Sequence, residues 1–259
     1  MIEIIPAILP KSFADLEQKM SLVAGLVPMV QIDITDGHFV PSKTWPHTSG
    51  AVGGNGQYAD RDFAAILSER GDFPFVEELD FEVDLMVANP ENVWRDWIHA
   101  GAKRIIIHAE SVKGFGSAEH AVNILELLRA IQKEIPSRAS LLHVEIGVAI
   151  NPDTPNEILA SLMDEIDFVQ FMGIERIGFQ GEKFDERVLS KISDLRTQFP
   201  NVTISVDGGV TSETAPKLVA AGANRLAVGS AIFGGAGEDS SSEEIPVALD
   251  QFSESIENN

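Results

Sequence analysis

The sequence predicts an α/β fold in which eight parallel strands close into a barrel, each followed by a helical segment. Three observations carry this. Short runs rich in Val and Ile alternate with amphipathic stretches along the 259 residues. The length is that of one (β/α)8 barrel, roughly 250 residues. No G-x-G-x-x-G follows the first strand, which disfavours the rival doubly wound open sheet.

The expected strands cover residues 2–9, 29–34, 81–87, 104–108, 143–150, 168–172, 203–206 and 225–228. Ser12 is placed to cap a helix over 13–24. Asn89-Pro90 opens a helix that Gly101 closes, with Pro near the start and Gly past the end. Further helices are expected over 117–133, 155–164, 185–198 and 212–221, the last stopped by Gly222. Strand–helix alternation of this kind makes a parallel sheet with right-handed crossovers. Two segments break the rhythm. Residues 41–80 form a long connection, Gly-rich over 48–56, which either covers a site or is a surface insertion. Beyond residue 234, a Gly/Ser linker leads into a helix over 243–256. The expected organisation is therefore a barrel, 1–234, and an acidic linker with a C-terminal helix, 235–259, packed on the barrel or trailing from it.

Forty acidic and 19 basic residues give a net charge of −21. Seven of the acidic residues, and no basic one, lie beyond residue 234. No basic block exists to meet a phosphate backbone, so nucleic acid is not an expected partner. The absence of Cys excludes disulfides, thiolate metal sites and a thiol nucleophile. No apolar run approaches the roughly 20 residues of a bilayer span, and no membrane partner is expected. The first residues lack a basic region of the signal-peptide kind, so the expected location is the cytoplasm.

In such a barrel, chemistry sits at the C-terminal ends of the strands. Side chains alternate along a strand, so Gln31 and Asp33 share one face, and they point inward if Ile32 and Ile34 face the helices. Asp84 falls in phase with Glu82 and Met86, and Asp207 ends strand seven. Asp33, Asp84 and Asp207 are thus candidates to meet at one mouth. Inward carboxylates repel, and persist only if protonated, hydrated or bridged by a cation. That favours a metal or proton-transfer site over a structural role. Asp36, before Gly37, suits a turn. His38 and His108 read as satisfied polar residues near strand ends. His47, His99, His120 and His143 show no metal-ligand spacing.

Glycines form the other set. Gly178-Phe179-Gln180-Gly181, Gly208-Gly209 and Gly229-Ser230 follow strands six, seven and eight. Glycine lets backbone N–H groups approach an anion, and loops after strands seven and eight commonly hold phosphate in this fold. No Lys lies at a strand end, which argues against a Schiff-base aldolase, and no Ser–His–Asp arrangement is evident.

These residues resemble the ribulose-phosphate 3-epimerase family, a ribulose-phosphate-binding TIM barrel. The segments are IPAIL (5–9), QIDITDGHFVP (31–41), DLMV (84–87), GVAINPDTP (147–155), GFQGEKF (178–184) and the stretch 206–234. The resemblance implies an isomerase of carbohydrate metabolism: metal-assisted epimerisation at C3 of a pentulose 5-phosphate. Two aspartates on opposite faces of the substrate, matching Asp33 and Asp207, would exchange the proton through an enediolate. Site methionines match Met86 and Met172, and a third such Met is replaced by Thr35. The phosphate loops match Gly178–Gly181, Gly208-Gly209 and Gly229-Ser230. No organic cofactor is implied, and homo-oligomers are common in the family.

Departures are equally specific. The family's two His metal ligands correspond to Gln31 and Asp84, and a substrate-contacting Ser of the first strand corresponds to Ala7. Residues 173–177 replace a shorter Asn-Pro segment. Gln31, Asp33, Asp84 and Asp207 make an all-oxygen set, which suits Mg or Mn better than Zn. A harder cation stabilises an enediolate less, which implies low activity. The alternative is a catalytically weakened relative that only binds a phosphosugar. Related sugar-phosphate decarboxylases and synthases use Asp-x-Lys-x-x-Asp on strand three, but after Asp84 this chain has Met86 and Asn89.

Overall fold

A computed structural model describes residues 2–49, 58–117, 119–136, 140, 143–234 and 242–257. Eight parallel strands close into one barrel in chain order: β1 (Glu3–Ile8), β2 (Met29–Thr35), β3 (Asp80–Met86), β4 (Arg104–His108), β5 (Glu145–Ile150), β6 (Phe168–Met172), β7 (Thr203–Asp207) and β8 (Arg225–Val228). Around it lie α1 (Phe13–Val23), α2 (Arg61–Leu67), α3 (Trp94–His99), α4 (His120–Glu134), α5 (Arg187–Gln198), α6 (Ala215–Ala221), α7 (Ser230–Phe233) and α8 (Glu244–Glu257). No described helix is long and apolar enough to cross a membrane.

Local chemistry explains the helix ends. Ser12 accepts a hydrogen bond from the Asp15 amide at 3.1 Å, which caps α1 as its sequence suggests. Leu16, Met20 and Val23 then face the core. Gly222, at φ 120°, ends α6 in a conformation that only glycine adopts readily. Two expected helices differ. The segment opened by Asn89-Pro90 splits into a 3₁₀ turn, Pro90–Asn92, and the short α3, because Val93 between them leaves the helical range at φ −127°. Residues 155–164 are not an α-helix but a 3₁₀ turn, Asn156–Leu159, followed by further turns. Leu159 and Leu162 are buried three residues apart, the spacing of i→i+3 bonds such as Leu162 N–H to Leu159 O.

The connection 41–80 contains a helix, α2, that the sequence analysis does not anticipate. Asp60 caps it, accepting from the Asp62 and Phe63 amides, and also takes the Trp45 indole N–H at 2.8 Å. Trp45, Phe63 and Trp97 pack edge-on and tilted against one another, all fully buried. Burial of each such ring is worth about 1.5–3 kcal/mol, so this connection is anchored to the barrel wall. The Gly-rich part beyond Ser49 lies outside the described residues.

The main core lies between strands and helices, and includes Ile245 and Phe252 of α8, which packs on α6 and α7. The barrel interior has its own layers. At the bottom, Arg104 pairs with Glu3, Glu82 and Glu145, and Arg225 pairs with Glu3 and Glu145. Burial pushes Glu82 up to about 7, with Arg104 opposing the rise. Above it, Phe168 lies against Gly147, where a Cβ would stand 2.4 Å from the ring. Ile106, Ala149, Met86 and Met172 complete the interior beneath the mouth.

Candidate active site

The register sets the site. Asp33 of β2 pairs with Asp84 of β3, and Asp207 of β7 pairs with Met172 and Ala227. The inward phase expected for Gln31 and Asp33 holds, and carboxylate oxygens of Asp33, Asp84 and Asp207 lie within 4.8 Å of one another. All three are buried, at 5%, 0% and 8% exposure.

Asp33 and Asp84 have side-chain partners. Gln31 Nε2 donates to Asp33 Oδ1 at 2.8 Å. Gln31 Oε1 is buried without a partner. Asp84 is held through both oxygens: His108 Nε2 lies 2.9 Å from Oδ1, and Gln170 Nε2 donates to Oδ2 at 3.2 Å. Ser205 Oγ in turn donates to Gln170 Oε1 at 3.1 Å. His108 is not the fully satisfied polar residue expected: Nε2 meets Asp84, but Nδ1 is buried without a hydrogen-bond partner, and the ring stands inside the site, in phase with Arg104 and Ile106. Gln170 is a further member that the sequence analysis misses. Their convergence on Asp84 depends on strand register, which local patterns do not encode.

Crowding alters the acidities. Burial raises Asp33 well above the ordinary carboxylate range, and the charges of Asp207 and Asp84 add to the rise. Burial, with Asp84, pushes Asp207 up to about 7. Burial works against a charged His108, but Asp84 outweighs it, helped by Glu110 and Asp207, and the net shift is upward. Asp84 and His108 are thus a buried, hydrogen-bonded pair beside two carboxyls whose acidities are raised toward neutral pH.

A divalent cation fits this donor set. The three carboxylates are close and buried, and Gln31, whose Nε2 faces Asp33, would bring its unpartnered Oε1 to them with its amide turned over. All are hard oxygen donors.

Above the aspartates opens a pocket. Its described lining includes Asp33, Asp207, Met86, Met172, Gly178, Phe179, Gln180, Gly181, Gly208, Gly209, Gly229 and Ser230, all candidates by sequence. Gln31 and Asp84 do not line it; both are fully buried beneath. Ala7, Leu9, Ile174, Glu182, Val210 and Ala227 join the wall, and of these the sequence singles out Ala7 and, within the departure at 173–177, Ile174. Gly208 and Gly209 take φ of 93° and 67°, successive left-handed positions that require glycine. Gly173 allows the Gly208 carbonyl to approach: a Cβ there would meet that oxygen at 2.2 Å. Asp36 serves its turn as expected, accepting from the His38, Phe39 and Ala88 amides. The Thr35 hydroxyl is buried and unpartnered.

The model of the ribulose-phosphate 3 epimerase family matches residues 72–233. The chain is 31% identical over 240 residues to the ribulose-phosphate 3-epimerase of Bacillus subtilis, covering 90% of this chain and 93% of that protein. It is 33% identical to the ribulose-phosphate 3-epimerase of Eremothecium gossypii, covering 90% and 87%. It is 32% identical to the chloroplastic ribulose-5-phosphate-3-epimerase of Arabidopsis thaliana, covering 88% and 70%. Among solved structures, the barrel is similar to the 3-keto-L-gulonate-6-phosphate decarboxylase of Vibrio cholerae, with TM-score 0.62, 16% identity and coverage of 100% and 97%. A 3-hexulose-6-phosphate synthase is also similar, with TM-score 0.58, 16% identity and coverage of 95% and 99%. At these identities the structural likeness establishes the barrel alone, whereas sequence similarity runs through strands two, three, six, seven and eight, which build the site. By that similarity the chain belongs to the ribulose-phosphate 3-epimerase family.

Proposed function

We propose that the protein is a carbohydrate-phosphate epimerase that inverts the carbon next to a carbonyl, with a pentulose 5-phosphate as substrate. The observation that carries this reading is the pair Asp33 and Asp207, which face one pocket from different strands with raised acidities. Near neutral pH one of them is the acid and the other the base. Both acidities are raised by burial and by repulsion among the carboxylates, so one carboxyl is protonated while the other is the carboxylate; in one direction of the reaction Asp207 is the carboxylate and Asp33 the acid. The Asp207 carboxylate takes the C3 proton, and the bond electrons move toward the carbonyl oxygen to give an enediolate. Asp33 delivers its proton to the opposite face of C3, and the double bond returns to the carbonyl. The reverse reaction exchanges the two roles.

Met86 and Met172 form the apolar wall and keep water from the carbanionic carbon. The N–H groups of the Gly208-Gly209 and Gly229-Ser230 turns face the phosphate end. Asp33, Asp84, Asp207 and Gln31 Oε1 would hold a divalent cation, Mg or Mn in preference to Zn by their oxygen chemistry. When bound, such a cation stabilises negative charge on the substrate oxygens. His108 and Gln170 fix the orientation of Asp84.

A binding-only reading rests on Gln31 and Asp84, which replace the two histidines that the resemblance implies. One assay separates the two. Ribulose 5-phosphate incubated with the protein and Mn²⁺ should yield xylulose 5-phosphate. Tight binding without conversion of any pentulose or hexulose phosphate would favour the binding protein. Metal analysis of protein purified without chelator should find Mg or Mn, and full-occupancy Zn would overturn the hard-cation assignment.

A further inference from the structure

The pocket wall carries the carboxylates Asp33, Glu182 and Asp207, and its described lining includes no Lys, Arg or His. An anion there must be held by neutral N–H donors. The backbone N–H groups of Gly209, Gly229 and Ser230 enter no hydrogen bond among the described residues. One side chain reaches the same place. Gln180 extends from the loop after β6 to the first strand, where its Nε2 donates to the Ala7 carbonyl at 3.3 Å. It lies directly over Gly229: a Cβ at that position would stand 2.8 Å from Nε2. Gly229 has φ −94° and ψ −92°, outside the regions that side-chain-bearing residues favour, and its lack of a Cβ also leaves the room that Gln180 occupies. The amide makes this single long bond and has a second N–H to offer.

We propose that Gln180 is the side-chain donor of the anion cup, binding the phosphoryl group of the ligand together with the backbone N–H groups of Gly209, Gly229 and Ser230. The Ala7 carbonyl holds the amide in place, and Gly229 leaves space for it. The proposal rests on the phosphosugar reading and adds a recognition residue to it. A neutral amide suits this position because it satisfies phosphate oxygens without drawing Asp33 or Glu182 into an ion pair.

The test is the dissociation constant of inorganic phosphate and of ribulose 5-phosphate for the Mn²⁺-supplemented protein, by calorimetry. Gln180→Ala should weaken both about 10-fold or more, the range for hydrogen bonds to a charged group. Gln180→Glu, similar in shape, should weaken both further, since it brings a negative charge to the cup. Unchanged thermal unfolding of Gln180→Glu would separate binding from misfolding. If Gln180→Ala binds phosphate equally well or more tightly, Gln180 is a spectator or an obstruction and the proposal fails, while the phosphosugar reading stands. If the parent protein binds neither ligand, both fail together.

Discussion

Raising the pH should destabilise the cation-free protein, and Asp207 sets a definite part of the effect. Its carboxyl is pushed up to about 7 from an ordinary 3.8. A group raised by folding gives stability that is fully present below its unfolded pKa and is lost as pH climbs through its folded value. The gap between those values, at about 1.4 kcal/mol per pH unit, is about 4 kcal/mol between pH 4 and pH 8. For a domain of this size that corresponds to about 8–16 °C in Tm. Asp33, Glu82 and His108 are also raised and act in the same direction, so the total fall should be larger. Asp207→Asn isolates the part that belongs to Asp207. Thermal unfolding in EDTA across this range should show the variant gaining on the parent by about that margin as pH rises. Saturating Mn²⁺ should restore the parent at pH 8, by about 2.7 kcal/mol at a hundredfold excess over Kd, and should do less for the variant. Parallel pH curves for parent and variant would refute the claim that Asp207 is a buried acid held near neutrality.

Two further outcomes follow from the interior of the barrel. His108→Leu leaves Asp84 buried without its hydrogen-bonded partner and should cost about 3–5 kcal/mol, whereas His108→Gln keeps an N–H donor and should cost less; equal losses by denaturant titration would mean that the pair adds nothing beyond packing. Gly147→Ala would place a methyl group 2.4 Å from the Phe168 ring and should cost about 1–3 kcal/mol, with most of the loss recovered by adding Phe168→Leu; an unchanged midpoint for Gly147→Ala would contradict the described packing.

The barrel is legible because its signals are local. Alternation of Val- and Ile-rich runs with amphipathic stretches locates every strand, and Ser12 and Gly222 mark helix ends that the fold keeps. The inward direction of Asp33 follows from strand periodicity alone. What escapes is set at longer range. His108 and Gln170 look ordinary in their own strands, and only the register of neighbouring strands brings them to Asp84. Helix α2 has a local cap in Asp60, but its anchor is Trp45, fifteen residues earlier. The segment 155–164 has helical composition, and the i→i+3 spacing of its buried leucines decides against an α-helix. Gln180 stands inside a glycine cluster that is legible as a loop, yet its reach to Ala7 spans 173 residues of sequence.

The central claim is that Asp33 and Asp207 pass a proton across C3 of a sugar phosphate. Deuterium incorporation tests it most directly. With ribulose 5-phosphate and Mn²⁺ in heavy water, the protein should place deuterium at C3, seen by mass spectrometry and NMR, as xylulose 5-phosphate forms. Asp33→Asn and Asp207→Asn should each slow that exchange by about 10²–10⁴-fold. Exchange at the parent rate in either variant, or conversion with no deuterium at C3, would contradict the account.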